Sequence, residues 1–195
     1  MEEIEVKYID IDVPDLEKKL EVIGAEKVGE YLYRSKTFDY ADLRLDKDMS
    51  WVRMRDEGDK VTLAYKKRLG VTSEGGNDTG MEEVEIEVSD YEKTAQIFLK
   101  IGLIEKFSQE KKRIRYKKGT TEFDIDFWPG IPPYLEIEAQ SWEDIDAVAV
   151  ELGLTPDKRM ICSATQIYAH YGINDKEYET MTFSEGLVKR TVQLG

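Results

Sequence analysis

Charged residues that alternate with apolar ones are the feature of this sequence best suited to chemistry. The carboxylate pairs are Glu3/Glu5, Glu85/Glu87, Asp124/Asp126 and Glu136/Glu138, and the cationic pairs are Arg53/Arg55 and Arg113/Arg115, with Lys7 and Lys66 in similar strands. Residues i and i+2 of a β-strand share one face and lie about 6.5–7 Å apart. Two carboxylates so placed repel unless a cation lies between or beside them. Carboxylates and arginines together could therefore hold a divalent metal and a phosphate chain.

The alternation predicts β-strands, and the stretches between them predict helices. Strands with one ionic and one apolar face are expected over 3–7, 51–55, 61–66, 83–88, 111–116, 122–127 and 136–139. Helices are expected over 12–24, 89–102, 141–153 and 163–171, where Asp or Ser near the start and Gly near the end are typical signals. The glycine-rich stretch 69–80 is interpreted as a long loop.

A charged face of one strand most often points to solvent, with the apolar face on the core. Two features favour a different arrangement for the whole set. The predicted helices have apolar stripes that need a partner, and the charges are sorted by sign, strand by strand. If helices cover the apolar faces, a sheet of this many strands can curl and close with its ionic faces inside. The predicted fold class is therefore α+β.

A strand-and-helix unit recurs along the chain. Gly102 follows Glu87, and Gly153 follows Glu138, by the same fifteen residues, with a predicted helix in each interval. A looser copy follows Glu5. Such repetition predicts that the Glu-x-Glu strands occupy related positions.

Composition and charge exclude several classes of function. The chain has 195 residues, 41% of them hydrophobic, and a formal net charge of −13. This charge argues against nucleic acid and anionic membranes as partners. With a single cysteine, Cys162, and a single histidine, His170, a Cys-based zinc site is excluded and Ser-His-Asp or Cys-His catalysis is disfavoured. The acidic N-terminus and the lack of a long apolar run predict a cytoplasmic protein.

The ordered motifs resemble those of the CYTH superfamily, the triphosphate tunnel metalloenzymes. Glu3-x-Glu5-x-Lys7 is similar to the ExExK signature, and the remaining charged pairs follow in the family's order. The resemblance implies an eight-stranded antiparallel β-barrel, or tunnel, with helices packed on the outside. It implies a single domain over residues 1–172, followed by a tail at 173–195 whose structure is uncertain.

The resemblance also implies roles for individual residues. Triphosphate-binding residues would be Lys7, Arg53, Arg55, Lys66, Arg113 and Arg115. Ligands of one or two Mg²⁺ or Mn²⁺ ions would be Glu3, Glu5, Asp124, Asp126, Glu136 and Glu138, with Glu85 and Glu87 as further wall residues or ligands. Lys7, Glu5 and Arg53 are the predicted catalytic residues. Trp51, on the same strand face as Arg53, either stacks on an organic group such as thiamine or packs at the barrel end.

Three functions follow from the resemblance. The first is a metal-dependent triphosphatase acting on inorganic triphosphate or a small organic triphosphate such as thiamine triphosphate. The second is an adenylyl cyclase, which is disfavoured because no His-Phe pair precedes Glu3. The third is a non-catalytic module that binds polyphosphate or nucleotide. A homodimer is left open.

Overall fold

The computed structural model describes residues 4–72 and 75–190, and these form an α+β fold. The strands are β1 Ile4–Tyr8, β2 Glu26–Tyr40, β3 Ser50–Asp56, β4 Val61–Thr72, β5 Gly75–Glu87, β6 Leu103–Lys118, β7 Thr121–Phe127, β8 Tyr134–Ala139, β9 Tyr178–Thr182 and β10 Gly186–Lys189. The α-helices are α1 Val13–Val22, α2 Arg44–Lys47, α3 Tyr91–Lys100, α4 Trp142–Glu151 and α5 Ala164–His170. No helix in these two ranges is both long and apolar enough to span a membrane.

Polar side chains cap the predicted helices as the sequence signals indicate. The Asp12 carboxylate accepts a hydrogen bond from the first turn of α1, and the Ser141 hydroxyl does the same for α4. Ser163 and Gln166 form a reciprocal capping box at α5. These caps satisfy backbone N–H groups that have no partner within the helix. The four predicted helices are thus confirmed, with bounds one or two residues inside the predicted ones.

The strands follow the order β1-β8-β7-β6-β2-β3-β4-β5, and neighbours whose register is described are antiparallel. Strand β9 is an exception, since it pairs with β6 in parallel. The end strands β1 and β5 do not pair with each other in the described ranges. The α+β class is therefore confirmed, whereas the predicted closure into an eight-stranded barrel is not found among the described residues.

The chain divides into two compact units. The first unit comprises, within the described residues, 4–31 and 111–175. Its core lies between the apolar faces of β1, β7 and β8 and the helices α1 and α4. The fully buried members include Val6, Phe123, Ile137, Leu20 and Ile145. Helices thus cover the apolar strand faces of this unit, as the sequence predicts.

The second unit comprises residues 32–110 and, within the described range, 176–190. Its core contains Phe38 of β2, Met54 of β3, and Tyr91 and Ala95 of α3. The apolar face of β5 is different, because Val84 and Ile86 are 61% and 55% exposed. The expectation that helices cover every apolar face does not hold for this strand.

Two segments differ from their sequence interpretation or extend it. The predicted loop at 69–80 is wrong, since β4 continues to Thr72 and β5 begins at Gly75. Repeated glycines weaken the strand signal there, but backbone pairing between β4 and β5 continues. Beyond residue 173, β9 and β10 form an antiparallel pair.

Tyr116 provides a pH-dependent test of the first unit's core. Its side chain is buried and its hydroxyl donates to Glu17 Oε1 at 2.9 Å. Burial first, and this hydrogen bond second, raise the pKa of Tyr116 from 10.0 to about 12. Between these pH values the unfolded chain releases the proton while the folded chain keeps it, so stability falls as pH rises. In urea unfolding at pH 9 and pH 11, Tyr116→Phe should lose less stability than the wild type. Equal losses would contradict this assignment.

Candidate functional site

In the first unit, charged side chains of four strands form rows across the sheet. The register places Lys117, Glu122, Glu138 and Glu5 in one row, and Arg115, Asp124, Glu136 and Lys7 in the next. Residues directly opposite on neighbouring strands have Cβ atoms about 4.5–5.5 Å apart. The first row therefore has three adjacent carboxylates and one lysine, whereas the second row is balanced. The excess negative charge of the first row favours a bound cation.

The carboxylates of Glu5, Glu136 and Glu138 form the group that could hold this cation. One oxygen of each lies within 4.8 Å of the others. Glu136 is buried, while the side chain of Glu5 is 44% exposed, so the group is open on one side. Carboxylate oxygens are hard ligands of the kind Mg²⁺ and Mn²⁺ prefer. The residues present therefore fit the predicted divalent metal.

Lys7 lies beside this carboxylate group and is itself buried. Its ammonium contacts Glu5 and lies 3.2 Å from Glu136 Oε2. Its backbone also forms a bridge with Met160, with Lys7 N donating to Met160 O at 2.8 Å and the reverse bond at 2.8 Å. These contacts fix a positive charge next to the candidate metal ligands.

The two arginines of β6 are bound to the two aspartates of β7. Arg113 donates to Asp126 from Nε at 2.6 Å and from Nη2 at 2.7 Å, contacts Asp124, and reaches Glu136 at 3.1 Å. Arg115 donates to Asp124 from Nε and Nη2, both at 2.7 Å. A guanidinium has five N–H donors, and most of those of Arg113 are engaged. Burial lowers the pKa of Arg113 and Arg115, but the bonds to carboxylates outweigh it, so the pKa of both residues is raised.

A cavity of about 310 Å³ opens at the end of the carboxylate row. Its lining includes Lys117, Glu122 and Glu138 together with the β6–β7 turn at Gly119 and Thr120. Glu138 thus belongs both to the carboxylate group and to the cavity wall. The candidate metal position is therefore reachable from solvent.

In the second unit, the arginines of β3 have small neighbours instead of carboxylates. Arg53 lies between Thr37 and Ala64, and Arg55 lies between Ser35 and Thr62. Among the described ion pairs, Arg55 Nη1 lies 3.6 Å from Glu57 Oε1. The guanidinium charges of β3 are therefore less neutralised than those of β6, which favours binding of an anion.

Arg53 carries the clearest sign of a missing partner. Its Nε is buried and donates to no acceptor in the described ranges. Burial first, and the nearby charge of Arg55 second, lower the pKa of Arg53. An unsatisfied buried donor is costly, and an anion in front of Arg53 would remove both penalties. The observation fits the predicted phosphate-binding role.

Lys66 and Trp51 lie next to the arginine pair. Trp51 is directly opposite Lys66, and Lys66 is directly opposite Glu83. Lys66 Nζ lies 2.6 Å from Glu83 Oε1, and this hydrogen bond lowers the pKa of Glu83. Trp51 therefore shares a face with the cations of β3 and β4, as the alternation of residues along β3 predicts.

The sequence profile of the CYTH domain family matches residues 1–161. The chain belongs to the CYTH domain family. Among the relatives of this CYTH chain is a Methanocaldococcus jannaschii protein named "Putative adenylate cyclase MJ0240". The two are 30% identical over 146 residues, which cover 75% of this chain and 81% of the relative.

Solved structures share the fold of this CYTH chain. A conserved hypothetical protein from Pyrococcus furiosus has a TM-score of 0.57 at 25% identity, over 85% of this chain and 99% of that chain. A Hippeastrum protein named "Putative adenylyl cyclase HpAC1", and described as having a dominant triphosphatase activity, has a TM-score of 0.53 at 16% identity. The latter match covers 88% of this chain and 95% of that chain, and at this identity it shows the fold alone.

The structure brings together some of the predicted metal ligands and separates others. Glu5, Glu136 and Glu138 form one group, whereas Asp124 and Asp126 face the arginines of β6. Glu85 and Glu87 lie exposed on β5 in the second unit and are not members of this group. Glu3 lies outside the described residues, so its predicted role stays a prediction.

Lys111 is a site residue that the sequence interpretation missed. Its ammonium lies 3.3 Å from Asp126 Oδ2 and 5.5 Å from the centre of the Trp128 ring. Trp128 Nε1 donates to the Tyr134 hydroxyl at 2.8 Å. Burial, against the attraction of Asp126, lowers the pKa of Lys111. The sequence does carry a signal for it: Lys111 stands two residues before Arg113 on the same strand, so alternation places both side chains on one face.

Proposed function

We propose that this CYTH chain is a metal-dependent triphosphatase acting on inorganic triphosphate or a small organic triphosphate such as thiamine triphosphate. The observation that carries the proposal is the carboxylate group Glu5/Glu136/Glu138 beside the buried cation Lys7. CYTH members include triphosphatases and cyclase-like proteins, so the family supports the class of substrate. The closed eight-stranded barrel and the domain bounds 1–172 are parts of this proposal.

The residues of the first unit would prepare the site for hydrolysis. Glu5, Glu136 and Glu138 would hold Mg²⁺ or Mn²⁺, which when bound supplies charge neutralisation at the phosphate oxygens. Lys7 adds a fixed positive charge for the oxygen charge that develops as the phosphorus–oxygen bond breaks. Arg113, through its bonds to Asp126, Asp124 and Glu136, would hold the carboxylates in place.

The cations of the second unit would bind phosphate. Arg53 has an unsatisfied buried Nε, and Arg55 lies between two small hydroxyl side chains. Lys66 adds a charge that Glu83 orients at 2.6 Å. Trp51, opposite Lys66, is proposed to stack on the organic group where the substrate has one.

An adenylyl cyclase is the second candidate, supported by the name of the Methanocaldococcus jannaschii relative. The two reactions use the same phosphate-binding residues and differ in the attacking group. In hydrolysis a water attacks phosphorus, whereas in cyclisation the substrate's 3′-hydroxyl attacks and pyrophosphate leaves. Product analysis therefore separates them.

The test is incubation of purified protein with inorganic triphosphate, thiamine triphosphate and ATP, each with Mg²⁺, with Mn²⁺ and with EDTA. We expect metal-dependent phosphate release from at least one of the three, and none with EDTA. Production of cyclic AMP from ATP without phosphate release would show that the chain is a cyclase and not a triphosphatase. Tight binding of triphosphate with no turnover would leave a non-catalytic module. Sedimentation of the same sample would show whether the homodimer exists.

A further inference from the structure

Hydroxyl side chains flank Arg55 on both neighbouring strands of the second unit. Ser35 of β2 is directly opposite Arg55 on one side, and Thr62 of β4 is directly opposite on the other. Directly opposed residues of a sheet share a face, so both hydroxyls lie on the face of the guanidinium. A small hydroxyl side chain on each side leaves room for an anion above Arg55.

Thr62 is the more informative of the two because it is 4% exposed. Buried hydroxyls in proteins nearly always have a hydrogen-bond partner. That of the buried Thr182 follows this rule, since Thr182 Oγ1 accepts from Glu185 N at 3.2 Å. The Thr62 hydroxyl takes part in none of the hydrogen bonds among the described residues, yet it is not one of their fully buried unpartnered atoms, which are Tyr8 Oη and Arg53 Nε.

The neighbours of Arg115 show an arginine of this protein whose charge is paired with a carboxylate on the next strand. Asp124 is directly opposite Arg115 and accepts two hydrogen bonds from it. Thr62 has the corresponding place beside Arg55, but a hydroxyl brings no negative charge. Among the described ion pairs Arg55 has only Glu57 Oε1 at 3.6 Å, and Thr62 adds a hydrogen-bond donor beside it without a competing negative charge.

We propose that Thr62 is a substrate-binding residue that donates a hydrogen bond to a non-bridging oxygen of the phosphate held by Arg55. A phosphate oxygen accepts several hydrogen bonds, and a hydroxyl beside a guanidinium supplies one without repelling the anion. The inference rests on the proposed function, since it assigns one contact of the same triphosphate. Ser35 supplies a second such donor from the other side of Arg55.

A purely structural role for Thr62 makes a different prediction. Threonine is favoured in strands because its branched side chain packs well there. Thr62→Val keeps the shape and the branching and removes only the hydroxyl. A structural residue would tolerate this change, whereas a substrate-binding residue would lose affinity for triphosphate.

The experiment compares wild type, Thr62→Val, Thr62→Ser and Thr121→Val. Thr121 is a matched control, because it is a threonine as buried as Thr62, with 5% exposure at the start of β7. Alternation along the strand places it on the same face as the apolar Phe123 and Ile125, away from the ionic face. The readouts are KM and kcat for inorganic triphosphate with Mg²⁺, calorimetric binding of triphosphate in EDTA, and the melting temperature.

Thr62→Val should raise both KM and the dissociation constant about tenfold, the effect of one hydrogen bond to a charged group. Its kcat should stay within about twofold, because a contact kept from ground state to transition state affects KM alone. Thr62→Ser should restore most of the affinity, and Thr121→Val should match the wild type. Unchanged KM and binding in Thr62→Val would overturn the inference while the wild type remained active. A wild type with neither binding nor turnover would instead overturn the proposed function.

Discussion

Glu5→Gln is expected to lower metal-dependent phosphate release by about a hundredfold or more. The substitution replaces one carboxylate of the group Glu5/Glu136/Glu138 with a neutral amide that binds a divalent cation weakly. Loss of an outer-shell partner of a metal ligand already costs about 10–100-fold in metal affinity or activity, and loss of a ligand itself should cost at least as much. The measurements are phosphate release across a Mg²⁺ titration and direct Mn²⁺ binding by calorimetry.

The stability of Glu5→Gln should remain close to that of the wild type, since the Glu5 side chain is 44% exposed. Glu143→Gln is the control, because Glu143 is an exposed residue in the first turn of α4. It should leave Mn²⁺ binding and phosphate release unchanged. Wild-type Mn²⁺ affinity in Glu5→Gln would show that the metal does not bind at this group.

Arg113→Met is expected to lower the free energy of unfolding by about 3–5 kcal/mol. Asp126 and Asp124 have side chains that are 1% and 3% exposed, and both contact Arg113. The substitution leaves Arg115 beside Asp124 and Lys111 at 3.3 Å from Asp126, but removes the two shorter bonds of the buried Asp126, and breaking a buried ion pair costs about this much. In a chain of this size the melting temperature should fall by roughly 10 °C.

Arg44→Met provides the control for the loss of an arginine. Arg44 is 62% exposed and pairs only with the exposed Asp42 among the described ion pairs. Its substitution should leave the melting temperature unchanged, as is usual for surface pairs. An unchanged melting temperature in Arg113→Met as well would mean that the β7 aspartates find other partners. Arg113 would then be free for the phosphate-binding role that the resemblance implies.

The strands with strict alternation were predictable because each carries its own signal. Asp124 and Asp126 alternate with buried Phe123 and Ile125, and the period of two fixes which residues share a face. The same reasoning holds for Arg53 and Arg55. Strand β2 lacks this signal, since charged, aromatic and small residues are mixed along Glu26–Tyr40. Ser35 was therefore absent from the predicted site, although it lies directly opposite Arg55.

Which residues meet across strands was not predictable, because alternation within one strand does not fix register with the next. The sequence alone determined the ionic faces, the helix ends and the family resemblance, since these depend on residues close together along the chain. The tertiary structure decided that Asp126 meets Arg113, that Glu138 meets Glu5, and that Thr62 meets Arg55. These contacts depend on how distant segments pair. The same pairing places carboxylates beside the arginines of β6 and small side chains beside those of β3.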